Sequence, residues 1–251
     1  DVYKRQGRLG AAFNAMLDAR QASEDRQRQF VADASHELRT PLTALRGYAD
    51  LYFAGGLSTP EAISDAMRRI QVEGTRMAAL TEDLLTLASL DEGRPIHLTD
   101  IDLSRLLLDI AADAAAIDPD RRVDTTGVHR GVTIRADRDL LTQAITAATS
   151  NVIRHTPSAA GLALLATSDG NLVQISVVDH GPGIDQPGLE RLFDRFYRGD
   201  VGRDAAQGGR GLGLSIAKMV VEAHGGAIAA RSIPGEGTTM LLTLPVDGGE
   251  R

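Results

Sequence analysis

Phe30-Val31-Ala32-Asp33-Ala34-Ser35-His36-Glu37-Leu38-Arg39-Thr40-Pro41-Leu42 opens a run in which apolar residues step by three and four: Phe30, Ala34, Leu38, Leu42, Leu45, Ala49 and Tyr52. That spacing predicts a long helix with a single apolar stripe. At 3.6 residues per turn His36 falls about 200° from both Ala34 and Leu38. It is therefore expected in solvent, where an imidazole is a competent nucleophile near neutral pH. Glu37 is adjacent and can take an imidazole proton. Thr40, one turn on, shares the His36 face. Pro41 removes a backbone donor, which predicts a kink just beyond. Taken alone, a His-Glu pair on a helix also reads as an ordinary solvated face.

Working outward, Gly55-Gly56 stops this helix. Ser58-Thr59-Pro60-Glu61 starts another, with a hydroxyl cap, a proline in the first turn and an early carboxylate. Ile63, Met67, Ile70, Met77, Leu80, Leu84 and Leu87 follow at near-heptad spacing. Two such helices make an αα-hairpin whose stripe is too long to bury within itself. Two copies would form a four-helix bundle, so a homodimer is expected; a hairpin packed on the rest of the chain is the plainer alternative. Upstream, Gly7 to Leu17 reads as the front of a long amphipathic helix. Asp1 to Gln6 fits no pattern and is set aside as a remnant of expression or sequence assembly.

Asp91-Glu92-Gly93-Arg94-Pro95 is a break. Beyond it Val173, Ile175 and Val177 alternate with Gln174 and Ser176 as in a half-buried strand, and Thr238–Pro245 reads as a second strand. Leu141, Ile145, Ala148 and Val152 mark the core face of one helix. Leu212, Ile216, Val220 and Ala223 mark that of another, expected over Ser215–His224. Glycine clusters at 181–183, 208–213 and 235–237 lie beside these elements. The expected class is α+β: a helical-hairpin dimerisation domain followed by an α/β sandwich. The expected boundaries are 1–25, 26–92 and 93–249.

Composition narrows the function. The chain has 251 residues, of which 43% are hydrophobic, enough for a core. A net charge of −7 argues against nucleic-acid partners, whose phosphates it would repel. The absence of cysteine excludes thiol nucleophiles and Cys-type zinc sites. No run of about 18 or more apolar residues suggests a membrane span, and no signal peptide is visible. Neither a P-loop G-x-x-x-x-G-K-[ST] nor the H-R-D and D-F-G elements of eukaryotic-type kinases occur.

Other elements suit a nucleotide, although each alone has a bland reading. Asn151, in Gln143–Pro157, sits roughly 100° round its helix from the core face. Its carboxamide oxygen is a hard ligand suited to magnesium, though a surface asparagine would look the same. Asp179-His180-Gly181-Pro182-Gly183 directly follows a strand, where a carboxylate can accept hydrogens from an adenine amino group and glycines let backbone approach a ring. Gly209-Arg210-Gly211-Leu212-Gly213 precedes a helix, and backbone N–H groups at a helix start favour phosphate. Leu192 to Arg198 supplies two phenylalanines and cations just before that loop.

The segment Phe30–Leu42 resembles the phosphoacceptor box of bacterial sensor histidine kinases, nearly residue for residue. The resemblance implies that His36 is phosphorylated, that Glu37 is the base, and that Thr40 orients water when a partner is dephosphorylated. The upstream helix resembles the last helix of a HAMP relay module. That implies membrane attachment through a preceding segment, and makes this chain the cytoplasmic portion of a bacterial inner-membrane receptor. The elements from 143 to 238 resemble, in order, the ATPase domain shared by histidine kinases and gyrase. The resemblance implies an asparagine box ending in His155, with Asn151 on magnesium. It implies an adenine contact at Asp179 in a first glycine box with Gly181 and Gly183. Phe193, Arg195 and Arg198 become part of a lid, Gly209, Gly211, Leu212 and Gly213 a second glycine box, and Thr238 part of the closing one. ATP and Mg2+ are the implied cofactors, and a response-regulator aspartate the implied phosphoryl acceptor. One departure stands out. The family's asparagine box usually carries a second asparagine one turn earlier, where this chain has Ala147. The rivals are an ATP-driven conformational machine of the gyrase type and a nucleotide-binding pseudokinase scaffold.

Overall fold

The computed structural model describes residues 2–129, 131–199 and 211–248. They fall into two compact units that divide between Leu80 and Thr81.

In the first unit, helix α1 runs Val2–Phe53 and continues through Pro41. It also takes in residues 2–6, which the sequence reading sets aside as a remnant. The hydroxyls of Ser35 and Thr43 fold back onto the carbonyls of Val31 and Arg39, at 2.7 and 2.8 Å. Gly55, at φ +74°, turns the chain, and Gly56 N–H returns to Leu51 O at 2.9 Å, the bond that closes a left-handed helix end. Helix α2 spans Pro60–Asp91, its end from Thr81 on belonging to the second unit, and the Thr59 hydroxyl accepts from Ala62 N–H at 3.2 Å, as the hydroxyl-cap reading requires. Ala34, Ala66 and Leu80 are buried, whereas Leu42 is 57% and Met67 47% exposed. The hairpin thus leaves much of its apolar stripe uncovered.

The second unit is a two-layer sandwich. Its elements are β1 Thr99–Asp102, α3 Leu103–Ile117, β2 Val123–Val128, β3 Thr133–Ala136, α4 Arg138–His155, β4 Leu162–Ser168, β5 Leu172–Asp179, α5 Gln186–Arg191, α6 Gly213–Ala223, β6 Ala227–Ile233 and β7 Gly237–Pro245. The main sheet has the order β2-β4-β5-β7-β6, with β2–β4 parallel and the other pairs antiparallel. A separate antiparallel pair joins β1 to β3. Val173, Ile175 and Val177 are fully buried on one face, and that face is covered by helices. Leu141, Ile145, Ala148 and Val152 on α4, Ile216 and Val220 on α6, and Leu212 just before α6 are all within 1% of complete burial. Strands β1 to β4 and β6, with helices α3 and α5, are additional to the elements expected from periodicity.

Asp137 caps α4, its carboxylate accepting from Leu140 N–H and also from His97 N–H at 3.0 Å. Its own N–H donates to Nε2 of His224 at 2.9 Å, while His224 Nδ1 lies 2.7 Å from Val220 O. A single neutral tautomer satisfies both contacts, and the ring ties the end of α6 to the start of α4. Helix α6 starts at Gly213 and ends at Ala223, two residues earlier and one residue shorter at its end than expected from the sequence. His224 is its cap rather than its last turn because its ring turns inward to Asp137.

Candidate functional site

In the hairpin unit His36 is exposed, as its angular position requires, and Glu37 beside it is half-buried. Thr40 is exposed, with Oγ1 3.4 Å from the His36 carbonyl, a long contact that leaves the hydroxyl available. Pro41 is buried and has no N–H to give the Glu37 carbonyl, so the backbone just beyond the histidine lacks one helical hydrogen bond. His36, Glu37 and Thr40 thus cluster on little more than one helical turn.

In the sandwich unit Asp179 ends β5 and is only 5% exposed. Its Oδ1 accepts from Gly181 N–H at 2.8 Å. Burial pushes its carboxyl pKa up. Backbone N–H bonds from Gly181 and Thr238, and then the charges of His180 and Arg121, oppose that rise. Gly183 has φ +71°, and a Cβ there would meet Ile233 O at 2.3 Å, so only glycine lets this loop sit against the β6–β7 turn. Gly235 N–H donates to Pro182 O at 2.8 Å across the same junction. Thr238 is buried, and its Oγ1 lies 2.9 Å from Ser232 Oγ. Ser232 also donates to Gly237 O and accepts from Ile184 N–H, both at 2.8 Å, so it links the two glycine loops.

Asn151 is half-buried on α4, next to the fully packed Val152, and its carboxamide makes no hydrogen bond among the described residues. His155 closes the same helix. Desolvation of its ring, and then the positive charges of Arg154 and Arg198, hold its pKa below the ordinary value. Ala147, one turn before Asn151, faces the start of α6, where a Cβ on Gly213 would stand 3.4 Å from the Ala147 methyl.

The segment before α6 is pinned at both ends of its described part. Phe196 has φ 59° and donates its N–H to Gly211 O at 2.8 Å. Gly211, at φ +69°, packs so closely that a Cβ would stand 2.6 Å from the Phe196 carbonyl carbon. Phe193 is half-buried and Arg198 exposed. Arg195 is engaged by Asp91: its Nη2 lies 2.9 and 2.8 Å from the two carboxylate oxygens and 3.2 Å from Met219 Sδ. Leu212 is fully buried, so only its backbone can meet a ligand. Gly209 lies outside the described residues.

Two residues in this unit carry no sequence signal. Ser232 is one, an ordinary serine in a strand. Arg121 is the other; Arg122 stands beside it, and nothing local marks 121 as the buried one.

Chemically, this unit offers a buried carboxylate beside a backbone amide, a free carboxamide oxygen, and a glycine-led helix start. That donor set suits a purine with an exocyclic amino group joined to a phosphate chain. Among the described residues no group of three or more His, Cys, Asp or Glu side chains could hold a metal ion. A cation here would have to draw most of its ligands from phosphate and water, as magnesium does.

Comparison with known proteins agrees with both halves. Residues 26–93 match the family model for the His Kinase A (phospho-acceptor) domain, and residues 136–248 match that for the histidine kinase-, DNA gyrase B- and HSP90-like ATPase. The residues before 26 fall in neither match. The chain is 44% identical over 250 residues to the probable sensor histidine kinase TcrY of Mycobacterium tuberculosis, covering 96% of this chain and 52% of that protein. It is 33% identical over 242 residues to the sensor histidine kinase YkoH of Bacillus subtilis, again 96% of this chain and 52% of that one. The chain thus spans about half the length of these relatives. Among solved structures, full-length ShkA in complex with AMPPNP superposes with a TM-score of 0.66 at 28% identity, over 88% of this chain and 46% of that one.

Proposed function

The chain belongs to the sensor histidine kinases, and from that premise we propose that it uses ATP to phosphorylate His36 and then passes the phosphoryl group to an aspartate of a response regulator. The observation that carries this reading is the pairing, in one chain, of an exposed His36 beside Glu37 on a hairpin with a buried Asp179 beside glycine loops. A His36 nitrogen attacks the γ-phosphorus. An N–P bond forms as the bond from that phosphorus to the bridging oxygen breaks, ADP leaves, and Glu37 takes the imidazole proton. In the second reaction the N–P bond breaks as a regulator carboxylate oxygen attacks. Thr40 serves the reverse traffic by orienting water for hydrolysis of the phosphorylated regulator.

Asp179 accepts from the adenine amino group, with Gly181 and Gly183 giving the ring room. Thr238 closes that end through Ser232. Asn151 and His155 face the triphosphate, while Arg198, Gly211, Gly213 and the Leu212 backbone cover it. Phe193 anchors the covering segment, and Arg195 must leave Asp91 if it is to reach phosphate. Asn151 would hold Mg2+ together with the phosphates. When bound, the ion supplies neutralisation of triphosphate charge.

We take the functional boundary at residue 92/93, with 26–92 as the dimerising phosphotransfer part and 93–249 as the ATP-binding part. The working unit is a homodimer, supported by the uncovered hairpin stripe. We further read this region as the cytoplasmic part of a membrane receptor with a HAMP-like helix leading in. The sensor names and greater length of the relatives support that reading. No helix among the described residues is long and apolar enough to cross a membrane.

The test is transfer from γ-labelled ATP. The parent should acquire acid-labile, base-stable label. His36→Gln should acquire none while still binding ATP. Label persisting on that variant would remove His36 as acceptor. A parent that binds ATP without ever becoming labelled would favour a scaffold, a second reading to which Ala147 lends weight.

A further inference from the structure

We infer that Arg121 is a positioning residue for the adenine end of the nucleotide site, acting through Thr156 and the turn at 158–161; the inference rests on the reading of Asp179 as the adenine contact. Arg121 lies in the turn between α3 and β2, and its side chain is 1% exposed. A guanidinium cannot shed its charge, so its burial needs partners for its donors. It has them. Nε donates to Asp118 Oδ2 at 2.9 Å. Nη1 donates to Thr156 Oγ1 at 2.8 Å and to Gly161 O at 3.2 Å. Nη2 donates to Thr156 O at 2.9 Å and approaches Ile153 O at 3.5 Å.

These contacts lead to the Asp179 loop by two routes. The first runs through Thr156. Its hydroxyl, held by Arg121, donates back to Val152 O at 2.8 Å. The rotamer that allows this turns the methyl onto Gly181, where a Cβ would stand 2.5 Å from Thr156 Cγ2 and 2.8 Å from Asp179 Oδ1. Gly181 N–H is the group that holds that same Oδ1. The second route runs through the turn after α4. Asp118, paired with Arg121, accepts from Ser158 Oγ at 3.0 and 2.9 Å. Arg121 grips Gly161 O directly, and Ala160 O between them accepts from His180 N–H at 3.1 Å. One buried cation thus touches both segments on which Asp179-His180-Gly181 rests. It also places positive charge at the C-terminus of α4, the helix that carries Asn151.

A plain helix cap would affect stability alone; a positioning residue must also change how the base is read. The probes are ADP and IDP, which differ in the six-position group that Asp179 would recognise. Their dissociation constants are measured calorimetrically on the full chain, alongside its melting temperature. Arg121→Lys keeps the charge but loses the fork, and Thr156→Val keeps the methyl but loses the acceptor; the second variant serves if the first folds poorly. Both should lower the preference for ADP over IDP by about tenfold, the size of one hydrogen bond to a charged group, with IDP affinity little changed. Variants that melt lower yet keep the parent's ADP/IDP ratio overturn the inference and reduce Arg121 to a cap. A parent with no preference for ADP over IDP overturns the reading of Asp179, and this inference with it.

Discussion

Burying Asp179 is unfavourable while no ligand is bound, because its charged carboxylate has lost most of its water, a loss that the backbone N–H groups of Gly181 and Thr238 offset only in part. Its raised pKa means that the folded state holds the proton more tightly than the unfolded state. The group therefore favours folding at acid pH, and this contribution is lost as pH rises through the interval between the ordinary carboxylate value of about 4 and the raised folded value. Asp179→Asn keeps the oxygen that accepts from Gly181 and removes the charge. The ligand-free variant should melt at or above the parent at pH 7, with the gap closing towards pH 4, while ATP affinity falls about ten- to a hundredfold. A thermal melt series in pH, paired with an ATP titration, measures both; a variant that melts lower at pH 7 contradicts the assignment. Ala147 poses the reverse problem. Its methyl offers no ligand oxygen, and it faces the glycine that opens α6. An asparagine there would point a carboxamide towards that helix start, and the missing side chain at Gly213 leaves room for it. Ala147→Asn should tighten binding of ATP at fixed magnesium by roughly tenfold or speed labelling of His36. No gain in either would mean that the site has adapted to alanine.

At the scale of elements, apolar spacing fixes the buried faces of α4, α6 and β5, whereas helices α3 and α5 were not drawn from it. The core faces of α4 and α6 and the buried side of β5 follow the spacing of their apolar residues. Helix ends marked by glycine or a hydroxyl cap lie where those residues stand. Strands β1 and β3 have four residues each, β2 pairs with β4 across a register shift, and Leu162 to Ala166 of β4 are apolar without alternation, so the period in them is too brief or too irregular to stand out. The α1–α2 hairpin presents an uncovered stripe roughly 37 Å long, including Leu42 and Met67. Pairing two copies would bury it. Leu42→Glu places a charge on that stripe in both protomers, forfeiting about 1.5–3 kcal/mol of burial at each. The dimer should weaken by roughly a hundredfold or more. Sedimentation at micromolar concentration checks this; a parent that is monomeric there refutes the pairing.

Two compact units, each with its own buried residues, predict two unfolding transitions. The hairpin transition should rise with protein concentration, because association stabilises it, and the sandwich transition should rise with ATP. Scanning calorimetry at varied concentration and nucleotide distinguishes this from a single transition that moves with both. The division of information in the chain runs along a related line. The exposure of His36, the hairpin, the packed faces of α4 and α6, and the glycines that tight loops demand were all legible in sequence. Each is set by residues within a turn or two of one another. Strand order β2-β4-β5-β7-β6, the pairing of Arg195 with Asp91, and the choice of Arg121 as the buried cation were not. Arg121 and Arg122 are chemically identical neighbours. Only the arrival of Thr156 and Gly161, 35 and 40 residues further along, gives one of them enough acceptors to offset the loss of water. Local spacing determines which face of an element is apolar; which distant groups meet across the core, and hence which charges can be buried, is decided only when the layers pack.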